Sequence, residues 1–242
     1  MIKNVVIDCF PGRRSFGPGW AAVAIDVIRA TTTAITAASQ GRRCFPVSSE
    51  REAHDLAARL QDPLLMGERG GEKPASFHMN NSPAALAMRA DTHRPVILLS
   101  SSGTHLICSL RKHDPVYLAC FRNFRALANH LKRSNFNVAL LGATTRGEFR
   151  EEDQMCCAWI AEMLVAAGFR PYDPRTEHTI DRWYSARLND CREGKSAQFL
   201  KETHQLADLE FILSRINDLD SVYSLLDGEV CEQQVSSSTL SA

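Results

Sequence analysis

The chain has 242 residues, of which 44 % are hydrophobic and 23 % are charged. These proportions are typical of a folded globular protein and exclude a disordered, collagenous or coiled-coil chain. The 28 Lys and Arg residues are balanced by 28 Asp and Glu residues, which argues against sequence-independent binding of nucleic acid, because such binding needs an excess of positive charge.

The sequence shows neither a membrane segment nor a metal-binding cysteine pair. No apolar run approaches the roughly 20 residues that span a bilayer, and the start of the chain lacks the basic-then-apolar order of a signal peptide. None of the eight cysteines forms a C-x-x-C pair, which argues against a zinc ribbon or a thioredoxin-type motif. We therefore expect a cytoplasmic protein that binds neither a membrane nor nucleic acid.

Strand and helix patterns alternate along the first two thirds of the chain. Short apolar runs with little polar alternation are typical of strands that are buried on both faces. Helix starts are marked by a capping box from Ser49 to Glu52 and by Pro83 in a first helical position. In chain order we predict strands at 4–9 and 21–27, helices at 31–40, 49–60 and 82–90, a strand at 95–99, a helix at 104–112, a strand at 116–120, a helix at 123–132, a strand at 137–141 and a helix at 151–168.

This alternation predicts the α/β fold class, with a three-layer α/β/α arrangement around a mainly parallel central sheet. Residues 174–226 carry Ala, Leu and Ile at three- and four-residue spacing among polar residues, which predicts a helical C-terminal segment. We expect a single domain over residues 1–235 and a disordered tail over residues 236–242.

Four of the predicted strands are followed by polar segments, at 26–33, 100–104, 121–123 and 142–153. In an open parallel sheet, ligands bind beyond the carboxyl ends of the strands. We therefore expect these segments to form one site at one edge of the sheet.

The residue types in these segments, and in the loop 67–73, favour phosphate chemistry. Hydroxyls and free backbone amides at a helix start accept an anion, and Arg29 and Arg69 can make bidentate contacts with phosphate. Carboxylates are the hard oxygen ligands that magnesium uses. The candidate carboxylates are Asp26, Glu68, Glu152 and Asp153.

Each candidate also has a purely structural interpretation. Asp26 could form a strand-end turn, residues 31–33 could cap a helix, and Glu152 and Asp153 could complement a helix dipole. The loop 67–73 lacks the spacing of a Walker motif. The D-x-D spacing of haloacid-type phosphatases fails at Asp26 and occurs at 218–220, in the predicted helical segment and after no strand. The tyrosine-phosphatase motif, an Arg-His-Gly triplet and the G-x-S-x-G motif of Ser-His-Asp hydrolases are absent.

Several motifs follow one another in a distinctive order: IDVIRATTT at 25–33, GERGG at 67–71, NSP at 81–83, SGT at 102–104, Asn123, and the pair Glu152 and Asp153. Together they resemble the 2-phosphosulfolactate phosphatase family over roughly residues 1–230. The resemblance implies magnesium-dependent hydrolysis of a phosphate ester on a small acidic three-carbon substrate, in an α/β/α fold. In some organisms it also implies a place in coenzyme M biosynthesis.

The resemblance and the chemistry of the matched positions together lead to a set of candidate site residues. The implied cofactor is Mg²⁺ and the implied partner is a small phosphorylated acid, while the sequence leaves homo-oligomer formation open. Asp26 is either a metal ligand or the attacking carboxylate. We assign catalysis to Asp26, Arg29, Glu68 and Arg69, substrate binding to Thr31, Thr32, Asn81, Ser82, Ser102, Gly103, Thr104 and Asn123, and metal binding to Asp26, Glu152 and Asp153.

The chain departs from the family pattern at three positions. His78 stands where relatives usually have Asp, Ser102 where they have Asn, and Asn80 where they have Gly. An imidazole cannot replace the charge of a carboxylate that holds a metal or orients a base. Two alternatives therefore stay open: a non-catalytic or altered-substrate phosphate-binding relative, and a transferase or isomerase that acts on a related phospho-acid.

Overall fold

A mixed β-sheet of eleven strands runs through the computed structural model, which describes residues 2–10 and 16–233. The tail predicted to be disordered, residues 236–242, lies outside the described residues. In chain order the strands are β1 (Asn4–Phe10), β2 (Trp20–Ile25), β3 (Cys44–Val47), β4 (Leu64–Gly67), β5 (Val96–Leu99), β6 (Val116–Ala119), β7 (Asn137–Thr145), β8 (Glu148–Phe149), β9 (Arg170–Pro171), β10 (Val222–Leu226) and β11 (Glu229–Gln233).

Helices cover both faces of this sheet. The described part of the chain forms nine α-helices and one 3-10 helix at Leu188–Glu193. None of these helices is long and apolar enough to cross a membrane. The α-helices are α1 (Ala30–Ser39), α2 (Glu50–Ala57), α3 (Pro83–Ala87), α4 (Gly103–Ser109), α5 (Phe124–Arg133), α6 (Glu151–Val165), α7 (Pro174–Trp183), α8 (Lys195–Glu202) and α9 (Leu206–Ser214).

The strand pairings divide the sheet into two parallel blocks. The first block is β4-β5-β3 and the second is β6-β2-β7-β1-β9, with β8 paired to β7 alone. Between the blocks lies the β10–β11 hairpin, in which β11 is antiparallel to β3 and β10 is antiparallel to β6. Because these three antiparallel junctions reverse the strand direction three times, the two blocks run in opposite directions along the sheet.

Alternate residues of the central strands point into two separate cores. On β2, Ala21, Val23 and Ile25 pack into the core formed with α5 and α6, whereas Ala22 and Ala24 pack into the core formed with α1 and α4. This alternation is the two-residue period of a strand whose two faces are both covered. The predicted α/β fold class, with helices on both sides of a central sheet, is confirmed.

Side-chain caps determine where two helices begin. Ser49 accepts a hydrogen bond from the backbone N–H of Glu52 (3.1 Å), and Ser82 accepts one from Ala85 (3.1 Å). The Glu52 carboxylate accepts from the backbone N–H of Ser48 (2.8 Å) and not from Ser49, so the expected capping box is shifted by one residue. Both predicted helix starts are therefore confirmed.

The predictions for the five strands hold within a few residues, while the other six strands, β3, β4, β8, β9, β10 and β11, were not predicted. β3 contains Pro46, which lacks a backbone donor and is unusual in a central strand. It is tolerated because β11 pairs with β3 only at Cys44, opposite Val230. The helical C-terminal segment extends through α9, but its last predicted residues form β10.

Candidate active site

A cavity of about 730 Å³ lies where strands from both blocks end. Its wall includes Asp26 after β2, Glu68 after β4, Ser102 after β5 and Thr145 at the end of β7. Phe199 of α8 closes one side. Of the four polar segments expected to share one site, 26–33, 100–104 and 142–153 line this cavity and 121–123 does not.

The two blocks meet most closely at Gly103, the first residue of α4. A methyl group at this position would lie 2.7 Å from Cγ of Asp26 and 2.6 Å from the Ala30 methyl group, so only glycine fits. At the junction between the blocks, β3 and β11 are paired only at Cys44 and Val230.

Asp26 lies between the starts of two helices and is only 7 % exposed. Its Oδ1 accepts a hydrogen bond from the backbone N–H of Ala30 (3.2 Å), and the N–H of Gly103 also faces the carboxylate. Burial raises the pKa of Asp26 to about 6; the Glu68 charge also raises this pKa, while the Ala30 N–H, Arg29 and the Gly103 N–H oppose the rise. The group is therefore mostly ionised at pH 7.

Arg29 lines the cavity beside Asp26 and is held by two side chains at the start of α9. Its Nη1 donates to Oε1 of Gln205 and to Oδ2 of Asp208 (2.7 Å). No other hydrogen bond from this guanidinium is found within the described chain. The remaining N–H groups of Arg29 can thus bind an anion in the cavity.

The Glu68 carboxylate connects the loop after β4 to the loop after β5. It accepts from the backbone N–H of Gly71 (2.7 Å) and from both the N–H (2.6 Å) and the hydroxyl (2.8 Å) of Ser101. Arg69 does not share this position, because its side chain is 80 % exposed and faces Glu50 at 3.4 Å. The structure places Arg69 outside the cavity, which corrects its assignment to catalysis.

The hydroxyls of Thr31 and Thr32 are used inside the protein. The Thr31 hydroxyl donates to the carbonyls of Asp26 and Ala119 (2.8 Å each), and the Thr32 hydroxyl donates to the carbonyl of Val27 (2.8 Å). Both residues are fully buried. They stabilise the turn that carries Asp26, and neither residue lines the cavity.

Thr104 and Asn123 are likewise turn-forming residues. The Thr104 hydroxyl donates to the carbonyl of Ser100 (3.0 Å), and Asn123 accepts from the N–H of Cys120 (3.0 Å) and donates to the carbonyl of Leu118 (3.1 Å). Both side chains are buried and neither lines the cavity. These local backbone hydrogen bonds satisfy their polar atoms and argue against their assignment to substrate binding.

Asn81 and Ser82 are neighbours with different roles. The Ser82 hydroxyl donates to Oδ1 of Asp208 (2.6 Å), so it helps to fix the carboxylate that holds Arg29 and does not face the cavity. Asn81 lines the cavity, is 2 % exposed, and its Oδ1 has no hydrogen-bond partner among the described residues. An unpartnered buried amide oxygen is costly, so Asn81 remains a candidate for substrate binding.

Glu152 and Asp153 lie behind Asp26 at the start of α6. Asp153 accepts from the backbone N–H of Val27 (2.7 Å), and Oε2 of Glu152 has no partner within the described chain. Burial raises the pKa of Glu152 to about 7, with Asp26 contributing, and burial together with the Glu152 and Asp26 charges raises the pKa of Asp153 well above its ordinary value. The three carboxylates thus form a buried cluster in which the charges of Arg29 and Arg150 only partly offset the effect of burial on the pKa values of Asp26 and Asp153.

The donor chemistry of this cluster fits Mg²⁺ in part. All its donors are carboxylate oxygens, and the unpartnered Oε2 of Glu152 could accept a cation or its water. However, no group of three or more His, Cys, Asp or Glu side chains in residues 2–10 and 16–233 is arranged to hold a metal ion. The expected three-carboxylate centre of Asp26, Glu152 and Asp153 is therefore not formed, and Asp26 is the one of the three that faces the cavity.

His78, the departure that put turnover in doubt, has a structural role. Its Nδ1 accepts a hydrogen bond from the backbone N–H of Leu65 (3.0 Å), and the residue is not part of the cavity wall. A carboxylate oxygen could accept the same hydrogen bond. His78 therefore does not contribute to the cavity that holds Asp26.

Sequence reasoning did not identify three cavity residues with positive charge. Arg146 lies in the turn between β7 and β8, Arg150 precedes α6, and Lys195 begins α8. Arg146 and Arg150 belong to the polar segment 142–153, which was expected to contribute to the site because it follows a predicted strand. Lys195 lies in the helical segment, where nothing in the local sequence distinguishes it from a surface lysine.

Comparisons with known proteins identify the family. The family model described as 2-phosphosulpholactate phosphatase matches residues 13–227. A probable 2-phosphosulfolactate phosphatase of Symbiobacterium thermophilum is 34 % identical over 179 residues, which are 71 % of this chain and 76 % of that protein. Proteins of the same name are 36 % identical over 197 residues in Pseudothermotoga lettingae (78 % of this chain, 82 % of that protein) and 28 % identical over 226 residues in Clostridium perfringens strain 13 (88 % of each). The chain therefore belongs to the 2-phosphosulpholactate phosphatase family, a family of phosphoric monoester hydrolases.

Proposed function

We propose that this protein hydrolyses 2-phosphosulfolactate, the compound in the names of its relatives, to sulfolactate and phosphate, and that the reaction depends on Mg²⁺. The observation that carries this proposal is the position of Asp26. It faces the cavity between the starts of α1 and α4, next to the open guanidinium of Arg29. A fixed carboxylate beside a fixed cation is a suitable arrangement for phosphoryl transfer.

Arg29 is the group that would bind the phosphate. Its contacts with Gln205 and Asp208 fix the guanidinium before substrate arrives, so little side-chain entropy is lost on binding. The charge on the phosphoryl oxygens would be stabilised by its free N–H groups. Ser102 and Asn81, which also line the cavity, supply a hydroxyl and an amide for further hydrogen bonds.

Asp26 has two roles that are compatible with its surroundings. As a nucleophile, its carboxylate would attack phosphorus and form an acyl phosphate, the ester oxygen would leave with a proton as the alcohol, and water would then release phosphate. As a metal ligand, it would hold Mg²⁺ from the cavity wall, with Glu152 and Asp153 adding negative charge behind it. Bound Mg²⁺ would supply positive charge that polarises the phosphoryl oxygens.

The test is release of phosphate from 2-phosphosulfolactate with no acceptor added. We expect turnover that excess chelator abolishes and Mg²⁺ restores, and a loss of at least about 100-fold in Asp26→Asn. The matched control is Asp55→Asn, because Asp55 is an exposed carboxylate on α2. Full activity in chelator would contradict the metal dependence, and near-normal turnover of Asp26→Asn would contradict the role of Asp26.

The same assay separates the alternatives. A phosphate-binding protein without catalysis would bind the ester and release no phosphate, whereas a transferase would need an acceptor. The structural role of His78 supports the catalytic alternative. A cytoplasmic location and homo-oligomer formation remain predictions.

A further inference from the structure

Positive charge lines the cavity from the β7–β8 side as well as at Arg29. Arg146, Arg150 and Lys195, here called the cation rim, come from the β7–β8 turn and from the starts of α6 and α8. The phosphate site at Arg29 uses none of these residues, and of the three only Arg150 also acts on the carboxylate cluster, where its charge lowers the pKa of Asp153. The cation rim therefore needs a separate explanation.

The turn fixes the backbone of Arg146. Thr145 pairs with Glu148 across the β7–β8 hairpin, so Arg146 and Gly147 form a two-residue connection with φ angles of 53° and 78°. Positive φ at both residues is typical of the tight turn that joins two antiparallel strands. Oγ1 of Thr145 lies 3.5 Å from the hydroxyl of Ser102, which precedes Gly103 in the loop against Asp26. This contact places the β7–β8 turn beside the part of the cavity that contains Asp26.

Among the residues that the structure describes, Arg146 forms no hydrogen bond or ion pair. The other cation-rim side chains share a single acid, because Arg150 and Lys195 both donate to the Glu148 carboxylate (2.7 Å each). Nε of Arg150 is buried and also lacks a partner in the part of the chain that the structure describes.

Two further acids lie on the cavity wall. Glu193 lies 3.6 Å from Nζ of Lys201, which offsets its charge, whereas Glu202 accepts a hydrogen bond from the neutral amide of Gln198 (2.8 Å) and keeps its charge. Of the acids on the wall, only Glu148 is bonded to the cation rim in the described chain. The free guanidinium of Arg146 and the unpartnered Nε of Arg150 indicate that the cation rim binds an anion.

We propose that the cation rim binds the second acid group of the substrate, a carboxylate or sulfonate on the carbon chain whose phosphate lies at Asp26 and Arg29, and that Arg146 determines this specificity. The inference rests on the proposed phosphatase function for the position of the phosphate. A phosphate ester without a second acid group has nothing to place at the cation rim. Arg146 thus discriminates between phosphate esters by their remaining charge.

The experiment compares three phosphate esters of one three-carbon skeleton and one compound without phosphate. 2-Phosphosulfolactate carries a carboxylate and a sulfonate, 2-phosphoglycerate carries only the carboxylate, and glycerol 2-phosphate carries neither. Phosphate release gives kcat/KM for each ester, and calorimetry gives the affinity for sulfolactate. The variants are Arg146→Ala and Arg146→Lys, and the control is Arg51→Ala, which removes a 92 % exposed arginine from α2.

For Arg146→Ala we expect kcat/KM for 2-phosphosulfolactate and the affinity for sulfolactate to fall roughly 10- to 100-fold, the scale of a lost charged hydrogen bond. Glycerol 2-phosphate should change by less than about threefold, Arg146→Lys should lose less than the alanine variant, and Arg51→Ala should resemble the wild type. If 2-phosphoglycerate also loses activity, the carboxylate is the bound group. If it does not, the sulfonate is.

An equal loss for glycerol 2-phosphate would overturn the proposal, since Arg146 would then act on the phosphate itself. The proposal would also fail if sulfolactate bound the Arg146→Ala variant as tightly as the wild type, or did not bind the wild type. Absence of phosphate release from every ester would contradict the phosphatase function, and the sulfolactate affinities would still decide the role of Arg146. Melting temperatures of the variants show whether each protein is folded.

Discussion

Replacing Asp26 with Asn should make the metal-free protein more stable at pH 8 while it removes activity. The pKa of Asp26 is raised from 3.8 to about 6 in the folded protein because the group is buried. Because the pKa of Asp26 is higher in the folded protein, the fold favours the protonated carboxyl group. The contribution of this group to the free energy of unfolding is fully present below pH 3.8 and is lost as the pH rises through about 6. At pH 8 the ionised carboxylate therefore destabilises the fold.

The size of the expected stabilisation follows from the size of the pKa shift of Asp26. A rise of about two pKa units corresponds to about 3 kcal/mol at 1.36 kcal/mol per unit. Asn keeps an oxygen for the N–H of Ala30 but turns an amide donor toward the N–H of Gly103, which costs about 1 kcal/mol. The net gain is about 2 kcal/mol, which corresponds to a melting temperature higher by about 4–8 °C in a protein of this size.

The assay is thermal unfolding of the wild type, Asp26→Asn and the exposed control Asp55→Asn between pH 4 and pH 8, without phosphate and with chelator, since a bound cation would offset the penalty. We expect the advantage of Asp26→Asn to be largest at pH 8 and to disappear toward pH 4, while Asp55→Asn changes little throughout. A variant that is no more stable than the wild type at pH 8, or whose advantage does not depend on pH, would refute the account of Asp26 as a buried, destabilising charge.

Three further substitutions test the site. Gly103→Ala should lower both turnover and melting temperature, because the new methyl group would lie 2.7 Å from Cγ of Asp26; normal kinetics would show that the loop relaxes freely. Arg69→Ala should leave kcat/KM within about threefold of the wild type, since its partner Glu50 lies outside the cavity and exposed pairs contribute little; a large kinetic loss would return Arg69 to the site. Asn123→Ala should lower the free energy of unfolding by about 2–3 kcal/mol in urea titrations, because it loses two buried hydrogen bonds; kcat of the folded variant should persist, and a selective loss of kcat would indicate substrate contact.

The sequence by itself determined the alternating elements and the position of Asp26. Five apolar runs were long enough and apolar enough to predict β1, β2, β5, β6 and β7, and Ser49 and Ser82 marked two helix starts that the caps confirm. These features are local, since hydrophobic period and capping depend on residues a few positions apart. Asp26 was identifiable because an acid that directly follows a buried strand is unusual.

Whether the neighbouring polar side chains face the cavity or bond within the protein depended on tertiary contacts. Thr31, Thr104 and Asn123 carry the same groups as substrate-binding residues, but their hydrogen bonds to the carbonyls of Ala119, Ser100 and Leu118 use those groups internally. A motif records which residues occur at a site and does not separate those that contact a ligand from those that hold the turn. Only the distances between side chains and backbone make that separation.

The strand order and the far side of the cavity were decided by tertiary structure alone. The β10–β11 hairpin joins two parallel blocks of opposite direction, and Gly103 of one block lies against Asp26 of the other. Lys195 and Phe199 reach the cavity from α8, more than 160 residues after Asp26 in the chain. Pairing between strands and docking of a late helix depend on contacts between distant residues, and no local pattern in a single sequence carries that information.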